Sequence, residues 1–443
     1  MRIRRFVLTA VSLGTLSGCH WLSAPDATTN PNQPTAATAD QLLVATETAL
    51  NQQYTSDLAR TVCVWMQQCA GTDRQYRQLG LYQYGEDAYN GPFSQVYTGG
   101  GLLDIRRIQA VADTAKDQVY GGIGRVLEAL TVGLAADVWG DVPYSQAVSD
   151  TISPALDPQE QVYAAIQAKL DTAITMLTSK TGAGPDGADL YYSGDATKWL
   201  RLAHTLKARF YMHTAERVGN AAYQNALAQA QQGLQKGDDL RSYQSADPNE
   251  QNSWYQFTVI QRAGYMSPGA FLVSLLQTRN DPRLAQYFDP NASGSYVGAA
   301  PGQQGGAGIS KFDAARVAPA FRQPIVTWAE NQLIIAEAAF RLGQTATAVA
   351  AYNSERADAG LPAAGGVTLA DIMTEKYIAL FQNIEVWNDW KRTCLPALTP
   401  AAGTVGGIPA RLLYAQSERN TNPNVPLPSD QPARNWNDPN ACS

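Results

Sequence analysis

Apolar residues recur at helical spacing along most of this chain, and this periodicity is the feature that most restricts its possible folds. The clearest stripe lies in Gln118–Trp139 and consists of Ile123, Val126, Leu127, Leu130, Leu134 and Val138. Because an α-helix turns once every 3.6 residues, such a stripe buries one side of a helix against its neighbours. The sequence therefore predicts an all-α fold of packed amphipathic helices.

Start and stop residues indicate where further helices lie. Asp157, Pro158 and Glu160 form a start signal, with an N-cap carboxylate, a proline at the first helical position and an acidic residue in the first turn. The other predicted helices cover residues 40–66 with a break near Tyr54, 92–115, 196 onward, 221–236, 327–342, 345–359 and 369–392.

One helical pair carries a repeat signature. Gly343, Ala348 and Tyr352 keep the offsets of a tetratricopeptide unit, in which glycine ends the first helix and alanine lets the second approach it closely. No strict repeat period is visible. Two long regions, 70–91 and 238–325, are rich in glycine, proline and aromatic residues, and loops of that length are commonly functional. We therefore expect a tetratricopeptide-type helical array with large irregular insertions.

The N-terminus has the pattern of a bacterial lipoprotein signal. Arg2, Arg4 and Arg5 precede a short apolar run over residues 6–16, which ends in small residues before Cys19. The run is shorter than the roughly 20 residues that span a bilayer. A cysteine stands where an ordinary secretory signal has a small residue at its cleavage site. We predict that Cys19 is lipidated.

These features divide the chain into three parts. Residues 1–18 are a predicted signal peptide, residues 19–39 a lipidated N-terminus and tether, and residues 40–443 a single helical binding domain. After the signal, no stretch of 18 or more apolar residues remains. His20 follows the cysteine directly, where an aspartate often retains lipoproteins at the inner membrane. We therefore expect the protein at the outer membrane, facing the cell exterior.

The net charge indicates which partners to expect, and the cysteines indicate which disulfides to expect. The formal net charge of −6 disfavours a nucleic-acid partner, because an acidic domain repels phosphates. Four further cysteines, Cys63, Cys69, Cys394 and Cys442, would enter an oxidising compartment. Local pairing, Cys63 with Cys69 and Cys394 with Cys442, is the favoured prediction, and buried free thiols are the alternative. A zinc site is disfavoured because no C-x2-C spacing is present.

Catalytic motifs are absent from the sequence. It contains no H-E-x-x-H, G-x-S-x-G or P-loop pattern. His213 falls on the apolar face of its predicted helix, which favours a core residue over a catalyst. Four carboxylates could be nominated for glycoside cleavage without preference among them: Asp141, Asp189, Asp195 and Glu330. We assign no catalytic residue, no metal and no cofactor.

Aromatic residues in the two irregular regions are the candidate ligand contacts. Rings beside asparagine, glutamine, aspartate and arginine suit sugars, whose C–H faces stack on the rings while their hydroxyls bind polar neighbours; peptides use similar surfaces. The alternative is that these rings attach long loops to the helical body. The residues predicted to bind ligand are Tyr76, Tyr82, Tyr84, Tyr89, Trp254, Tyr255 and Tyr265.

Seven segments, in order along the chain, resemble the motifs of one family. They are residues 30–35 (NPNQPT), 137–144 (DVWGDVPY), 189–195 continuing to 209, 280–284 (NDPRL), 336–339 (AEAA), 385–393 (EVWNDWKRT) and 408–414 (IPARLLY). Together they resemble the SusD/RagB-like nutrient-binding outer-membrane lipoproteins. Two positions depart from the usual pattern: Ala415 stands where proline is common, and Lys391-Arg392 replaces a more usual arginine pair.

The resemblance implies a function as well as a fold. Members of this family have a tetratricopeptide-type body with a ligand-binding face built from insertions, and they bind glycans or peptides without catalysis. Their partner is a SusC-like TonB-dependent transporter, and their ligand-contacting aromatics are not fixed in sequence. We therefore expect an outer-membrane lipoprotein that captures a nutrient oligomer, most readily a glycan, and delivers it to such a transporter.

Two other classes remain as alternatives. A surface-tethered glycoside hydrolase would use a carboxylate pair that sequence cannot locate. A solute-binding lipoprotein of an ABC transporter normally alternates strands and helices in two lobes, and the chain lacks the repeated apolar strand runs of that fold.

Overall fold

The computed structural model describes residues 37–404, 407–440 and 442, and from Ala39 onward the chain forms one compact unit. Cys19, the predicted signal peptide and most of the predicted tether lie outside the described residues. The helices are α1 (Ala39–Thr55), α2 (Asp57–Trp65), α3 (Arg74–Leu79), α4 (Asn90–Tyr97), α5 (Leu102–Ala115), α6 (Gln118–Trp139), α7 (Gln159–Ser179), α8 (Ala196–Val218), α9 (Asn220–Ala230), α10 (Ser253–Tyr255), α11 (Ala270–Thr278), α12 (Arg283–Tyr287), α13 (Trp328–Arg341), α14 (Thr345–Asp358), α15 (Leu369–Ala379), α16 (Glu385–Thr393) and α17 (Gln416–Thr421).

Strands are few and short in the described part of the chain. They are β1 (Cys69–Gly71), β2 (Leu240–Arg241), β3 (Met266–Pro268), β4 (Phe288–Asp289), β5 (Lys311–Phe312) and β6 (Pro324–Val326). They form three antiparallel pairs, β1 with β3, β2 with β6, and β4 with β5. The all-α prediction is confirmed, and the two-lobed alternating fold of an ABC-type binding protein is not the fold observed.

α6 is the central helix of the core. It packs against α5, α7 and α8, and nearly all of its side chains are buried. Among the described helices, it is the one long and apolar enough to cross a membrane by composition. However, 94% of that window is buried inside the protein, as in the core helix of a globular domain.

The helical pair α13–α14 has the predicted tetratricopeptide packing. Gly343 lies between the two helices with φ of +72°, a conformation that residues with a Cβ rarely adopt. Ala348 is completely buried, and Tyr352 is buried in the adjacent cluster. These three residues therefore occupy the positions that the repeat signature requires.

The predicted helix over residues 92–115 is wrong at its centre, because it divides into α4 and α5. A glycine triplet, residues 99–101, separates the two helices. A Cβ on Gly100 would lie 2.4 Å from the carbonyl oxygen of Ala45 in α1, so only glycine permits this approach. The predicted break in the first helix falls at Ser56, between α1 and α2, and α9 ends at Ala230, before the predicted end.

The predicted helix over residues 369–392 also divides, into α15 and α16. Gln382 adopts a left-handed φ of +65°, and the Asn383 Nδ2 donates to the carbonyl of Ile325 over 3.1 Å. The Asn383 side chain also accepts from the N–H of Glu385 over 3.0 Å, which starts the next helix. A tertiary contact with β6 thus interrupts a continuous helical pattern.

Both favoured disulfides are confirmed. Cys63–Cys69 links α2 to β1, and Cys394–Cys442 links the end of α16 to the C-terminal segment. Cys394 is the C-cap residue of α16 with a left-handed φ of +57°. The free-thiol and zinc alternatives are therefore excluded for these four cysteines.

The two long irregular regions are joined to each other. β1 precedes the first region's short helix α3, and β3 lies in the second region. Their register places Gly71 opposite Met266 and Cys69 opposite Pro268. This pairing brings two segments that are distant in sequence to one face of the helical body.

Candidate ligand-binding site

A cavity of about 910 Å³ opens where the two irregular regions meet. Its polar lining includes Thr72, Thr258, Ser267, Asp289, Ser310 and Lys311. Its apolar lining includes Val259, Met266, Ile309, Phe312, Val317 and Pro319. Pockets for small ligands span about 300–1,000 Å³ and combine an apolar wall with a few polar groups. The cavity therefore has the size and lining of a binding site.

Thr72 holds three segments of the cavity wall together. Its backbone N–H donates to the carbonyl of Tyr265 over 2.8 Å, and its Oγ1 donates to the carbonyl of Gly264 over 2.9 Å. Its own carbonyl accepts from the N–H of Gly305 over 2.9 Å. The wall is therefore fixed largely by backbone hydrogen bonds, which exist before any ligand binds.

A short helix separates the cavity from the core. α10 continues as a π-helix over Gln256–Gln261, and π-helical turns are frequent at functional sites. Asn252 caps it by accepting from the N–H of Trp254 over 2.7 Å. Trp254 has none of its surface exposed, and its ring lies edge-on to Phe312 at 6.1 Å. Tyr255, the next residue, is half-buried and lines the cavity.

A second hollow of about 590 Å³ adjoins the cavity and shares Thr72, Asp73 and Gln304 with it. Its other wall is α3, which contributes Arg74 and Arg77 together with glutamines. Asp73 caps this helix by accepting from the N–H of Arg74 over 2.9 Å. We call the cavity and this hollow together the groove.

Three of the seven aromatic residues predicted to bind ligand lie at or next to the cavity. Tyr255 lines the cavity, and Tyr265 lies between two lining residues in the chain with its ring half-buried. Tyr76 is buried against Tyr265, with ring centroids 6.5 Å apart. Its hydroxyl accepts from Arg60 Nε over 3.0 Å, and so Tyr76 supports the wall without reaching the cavity.

The other four rings do not line the cavity, although Tyr82 lies in the chain between two residues that line the hollow, Leu81 and Gln83. Tyr82 and Tyr84 hydrogen-bond through their hydroxyls to backbone groups of the C-terminal region, over 3.1 and 3.2 Å. Tyr89 is buried with its hydroxyl 2.9 Å from Thr61 Oγ1, and Trp254 is in the core. These rings attach the irregular regions to the helical body, as in the alternative interpretation of the sequence, and none lines the cavity.

Most of the cavity lining is not aromatic, so an aromatic pattern could not identify it. Residues 302–308 are rich in glycine, which allows a ligand to approach the backbone closely, and this composition is a usable sequence signal. Asp289 and Lys311 become neighbours only through the pairing of β4 with β5. No local pattern in the sequence indicates that pairing.

The four carboxylates nominated for a hydrolase have structural partners. Asp195 and Asp141 accept backbone N–H groups at the starts of α8 and α7, and Asp189 accepts from the indole N–H of Trp199 over 2.7 Å. Glu330 forms an ion pair with a buried arginine, with an N–O distance of 2.6 Å. None of these four lines the cavity in the described part of the chain.

His213 is a core residue, as its position on the apolar face predicts. Its Nδ1 lies 2.8 Å from Asp137 Oδ1, and its Nε2 lies 2.6 Å from Glu385 Oε1. Burial favours the neutral ring, but the two carboxylates outweigh it and raise the pKa of His213 to about 9. Because each ring nitrogen already faces a carboxylate, the geometry is that of a doubly hydrogen-bonded imidazolium.

Comparison with solved structures identifies relatives with the same fold. A SusD/RagB family protein from Bacteroides thetaiotaomicron shares 22% identity with a TM-score of 0.75, over 92% of this chain and 100% of that one. A chitin-binding SusD homologue from Flavobacterium johnsoniae shares 21% identity with a TM-score of 0.76, over 91% and 97%. A chitin-binding protein shares 20% identity with a TM-score of 0.77, over 91% and 100%.

Sequence comparison gives the family. A search of curated proteins finds no match. A SusD-like family profile, described as starch-binding and associating with the outer membrane, matches residues 31–355, which is well over half of the chain. This match agrees with the helical array and with the resemblance seen in the motifs. The chain therefore belongs to the SusD-like family of proteins associated with the outer membrane.

Proposed function

We propose that this protein captures a nutrient oligomer, a glycan in the first instance, in the groove, and delivers it to a SusC-like TonB-dependent transporter. Lipidated Cys19 would hold it at the outer membrane, facing the cell exterior. The single observation that carries the binding proposal is the preformed cavity of about 910 Å³ lined by Tyr255 and by hydroxyl groups. The family's starch-binding description and the chitin-binding relatives support a glycan ligand.

Tyr255 and Tyr265 are the aromatic residues that we propose for ligand contact. A half-exposed ring beside hydroxyl groups can cover the C–H face of a sugar while the hydroxyls bind its edge. Tyr76 supports this arrangement from below, because its ring packs against Tyr265. In this proposal the protein binds the ligand and transfers it intact, without catalysis.

Calorimetric titration of Tyr255→Ala against chito-oligosaccharides and malto-oligosaccharides tests the site. We expect the dissociation constant of the bound glycan to rise about tenfold, because about 1.4 kcal/mol of ring contact is lost. Tyr243→Ala is the matched control, since Tyr243 is a tyrosine with 38% of its surface exposed that does not line the cavity. Equal affinities of the two variants for every glycan would place the binding site elsewhere.

Product analysis separates binding from hydrolysis. We expect purified protein to return every bound oligosaccharide intact after prolonged incubation. Cleavage that disappears when one carboxylate near the groove, Asp73 or Asp289, is replaced would instead support the tethered hydrolase.

The anchor and the transporter have their own test. Cys19→Ala should move the protein from the outer-membrane fraction to the soluble fraction and abolish growth on the bound glycan, while the purified variant still binds it. Co-purification of a TonB-dependent barrel with the wild-type protein is the expected result for the partner. Membrane retention of Cys19→Ala would contradict lipid anchoring.

A further inference from the structure

The cationic side chains at the groove differ from those elsewhere on this acidic protein. Away from the groove, two of the three exposed arginines in the described residues are paired, Arg107 with Asp104 and Arg241 with Asp239. Within the described residues, three exposed arginines have no carboxylate within 4 Å: Arg77, Arg217 and Arg262. Two of these three are at the groove, because Arg77 lines its hollow and Arg262 directly precedes a lining residue of the cavity.

A half-buried ring contacts two guanidinium groups at the groove. The Cζ atoms of Arg74 and Arg262 lie 5.9 and 5.7 Å from the centroid of Tyr265. Cation–π attraction offsets part of their mutual repulsion. The side chain of Arg74 is 72% exposed, and its nearest carboxylate oxygen, on Asp73, is 3.8 Å away, beyond hydrogen-bonding distance. Both cations can therefore reach an anion in solution.

The backbone at this position is also unusual. Arg74 has a left-handed φ of +44°, which costs free energy in a residue with a side chain. Such conformations concentrate at functional sites, where the surrounding structure holds them. Arg77 is oriented by a hydrogen bond from its Nε to the carbonyl of Gly302 over 2.6 Å.

We propose that the ligand of this groove is an acidic glycan, whose carboxylate or sulfate groups bind Arg74, Arg77 and Arg262 while its sugar rings occupy the cavity. This inference rests on the proposed function and specifies the substrate class of the same site. A guanidinium presents paired N–H donors that match the two oxygens of a carboxylate or sulfate. Lys311, which also lines the cavity, adds a fourth cation against the carboxylates of Asp73 and Asp289.

Titration with three oligosaccharides of equal length tests the proposal. The probes are oligogalacturonate, a sulfated galactan and neutral chito-oligosaccharide, each measured at about 50 mM and about 500 mM NaCl. We expect one of the two acidic probes to bind at least about tenfold more tightly than the neutral one at low salt, and to lose most of this advantage at high salt. The better acidic probe identifies carboxylate or sulfate as the recognised group.

Arginine substitutions assign the effect to the groove. Arg77→Gln and Arg262→Gln should each weaken acidic-glycan binding about tenfold, because each removes a charge-assisted hydrogen bond, and should leave neutral-glycan binding unchanged. Arg217→Gln is the matched control, since it removes an exposed arginine without a carboxylate partner far along the chain, on α8. We expect it to have no effect.

Each other outcome overturns a defined part of the proposal. Neutral glycan bound as tightly as the acidic probes, with no effect of Arg77→Gln, overturns the acidic-ligand inference and leaves the proposed function standing. Tighter binding of an acidic peptide than of either acidic glycan also overturns it. Failure of all glycans to bind overturns both the inference and the proposed function.

Discussion

At the scale of single residues, Trp254 and Tyr255 are adjacent in sequence and opposite in environment. Trp254 is completely buried beside Phe312, whereas Tyr255 lines the cavity. The sequence predicts an aromatic ligand face over this stretch, but it cannot distinguish the two rings, because burial of Trp254 depends on the pairing of β4 with β5. Aromatic composition thus indicates the part of the chain that contains the cavity, but it does not distinguish the aromatic residues that line it from those that are buried.

This contrast gives a prediction for stability. Trp254→Ala should lower the free energy of unfolding by about 3–5 kcal/mol, because it empties a buried volume that the surroundings fill only in part. Tyr255→Ala should leave the melting temperature close to that of the wild type, because its ring is half-exposed. Thermal unfolding followed by circular dichroism measures both. A wild-type melting temperature for Trp254→Ala would contradict the core position of this ring.

His213 predicts a pH dependence. Its pKa is raised to about 9 from an ordinary value of 6.5, so the folded protein binds this proton more tightly than the unfolded chain does. The stabilisation is therefore complete below about pH 6.5 and disappears as the pH rises through 9, an effect of about 3 kcal/mol. The free energy of unfolding, measured in urea across this range, should therefore fall more steeply with pH in the wild type than in His213→Gln.

Other groups titrate in the same range. Their contributions to the pH profile cancel when wild type and His213→Gln are compared. Burial and the neighbouring Glu375 raise the pKa of Glu355 to about 8, and this group is present in both proteins. Only the difference between the two pH profiles belongs to His213. Identical profiles would show that the imidazolium contributes nothing to folding.

At the scale of elements, two interrupted helices show what a local pattern can predict. The break between α4 and α5 falls at a glycine triplet, and this signal is present in the sequence. The apolar residues on both sides of it keep a helical period, which predicts one continuous helix. The break between α15 and α16 has no such signal, because the contact of Asn383 with the backbone of β6 causes it. Local composition predicts the first kind of boundary, and only the tertiary fold determines the second.

The two disulfides should differ in their effect on stability. A disulfide stabilises the fold by lowering the conformational entropy of the unfolded chain, and the effect increases with the length of the closed loop. The expected stabilisation is about 2 kcal/mol for Cys63–Cys69, which spans 6 residues, and about 4 kcal/mol for Cys394–Cys442, which spans 48. We therefore expect Cys394→Ser/Cys442→Ser to lower the midpoint of urea unfolding more than Cys63→Ser/Cys69→Ser. A larger loss for the short loop would indicate that local strain or packing, and not loop closure, sets the effect.

At the scale of the whole molecule, three of the family motifs that the structure describes meet in the core and not at the groove. Asp137 of the DVWGDVPY segment binds His213 and accepts, through its carbonyl, from Lys391 Nζ over 2.7 Å. Arg392, in the same late motif as Lys391, pairs with Glu337 of the AEAA segment at 2.5 Å. These three motifs therefore supply buried polar contacts that join distant helices. This explains why the sequence predicts the family and the fold well, whereas it gives little information on which residues line the cavity.

Arg392 provides the test of this interpretation. Burial alone would raise the pKa of Glu337, and the Arg392 guanidinium lowers it below its usual value, so the two charges depend on each other. Arg392→Leu leaves the carboxylates of Glu337 and Asp389 buried without this partner, and we expect a loss of about 3–5 kcal/mol in unfolding free energy. Arg107→Leu breaks an exposed pair and should cost less than about 1 kcal/mol.

The double variant Arg392→Leu/Glu337→Gln sharpens the comparison. Neutralising Glu337 removes most of the unpaired buried charge, so the double variant should be more stable than Arg392→Leu alone. Glycan affinity of the folded fraction should match the wild type in both, because neither residue lines the groove. If Arg392→Leu were no more destabilising than Arg107→Leu, the late motif would need a role other than joining α16 to α13. In that case ligand binding or transporter contact would be the next role to test.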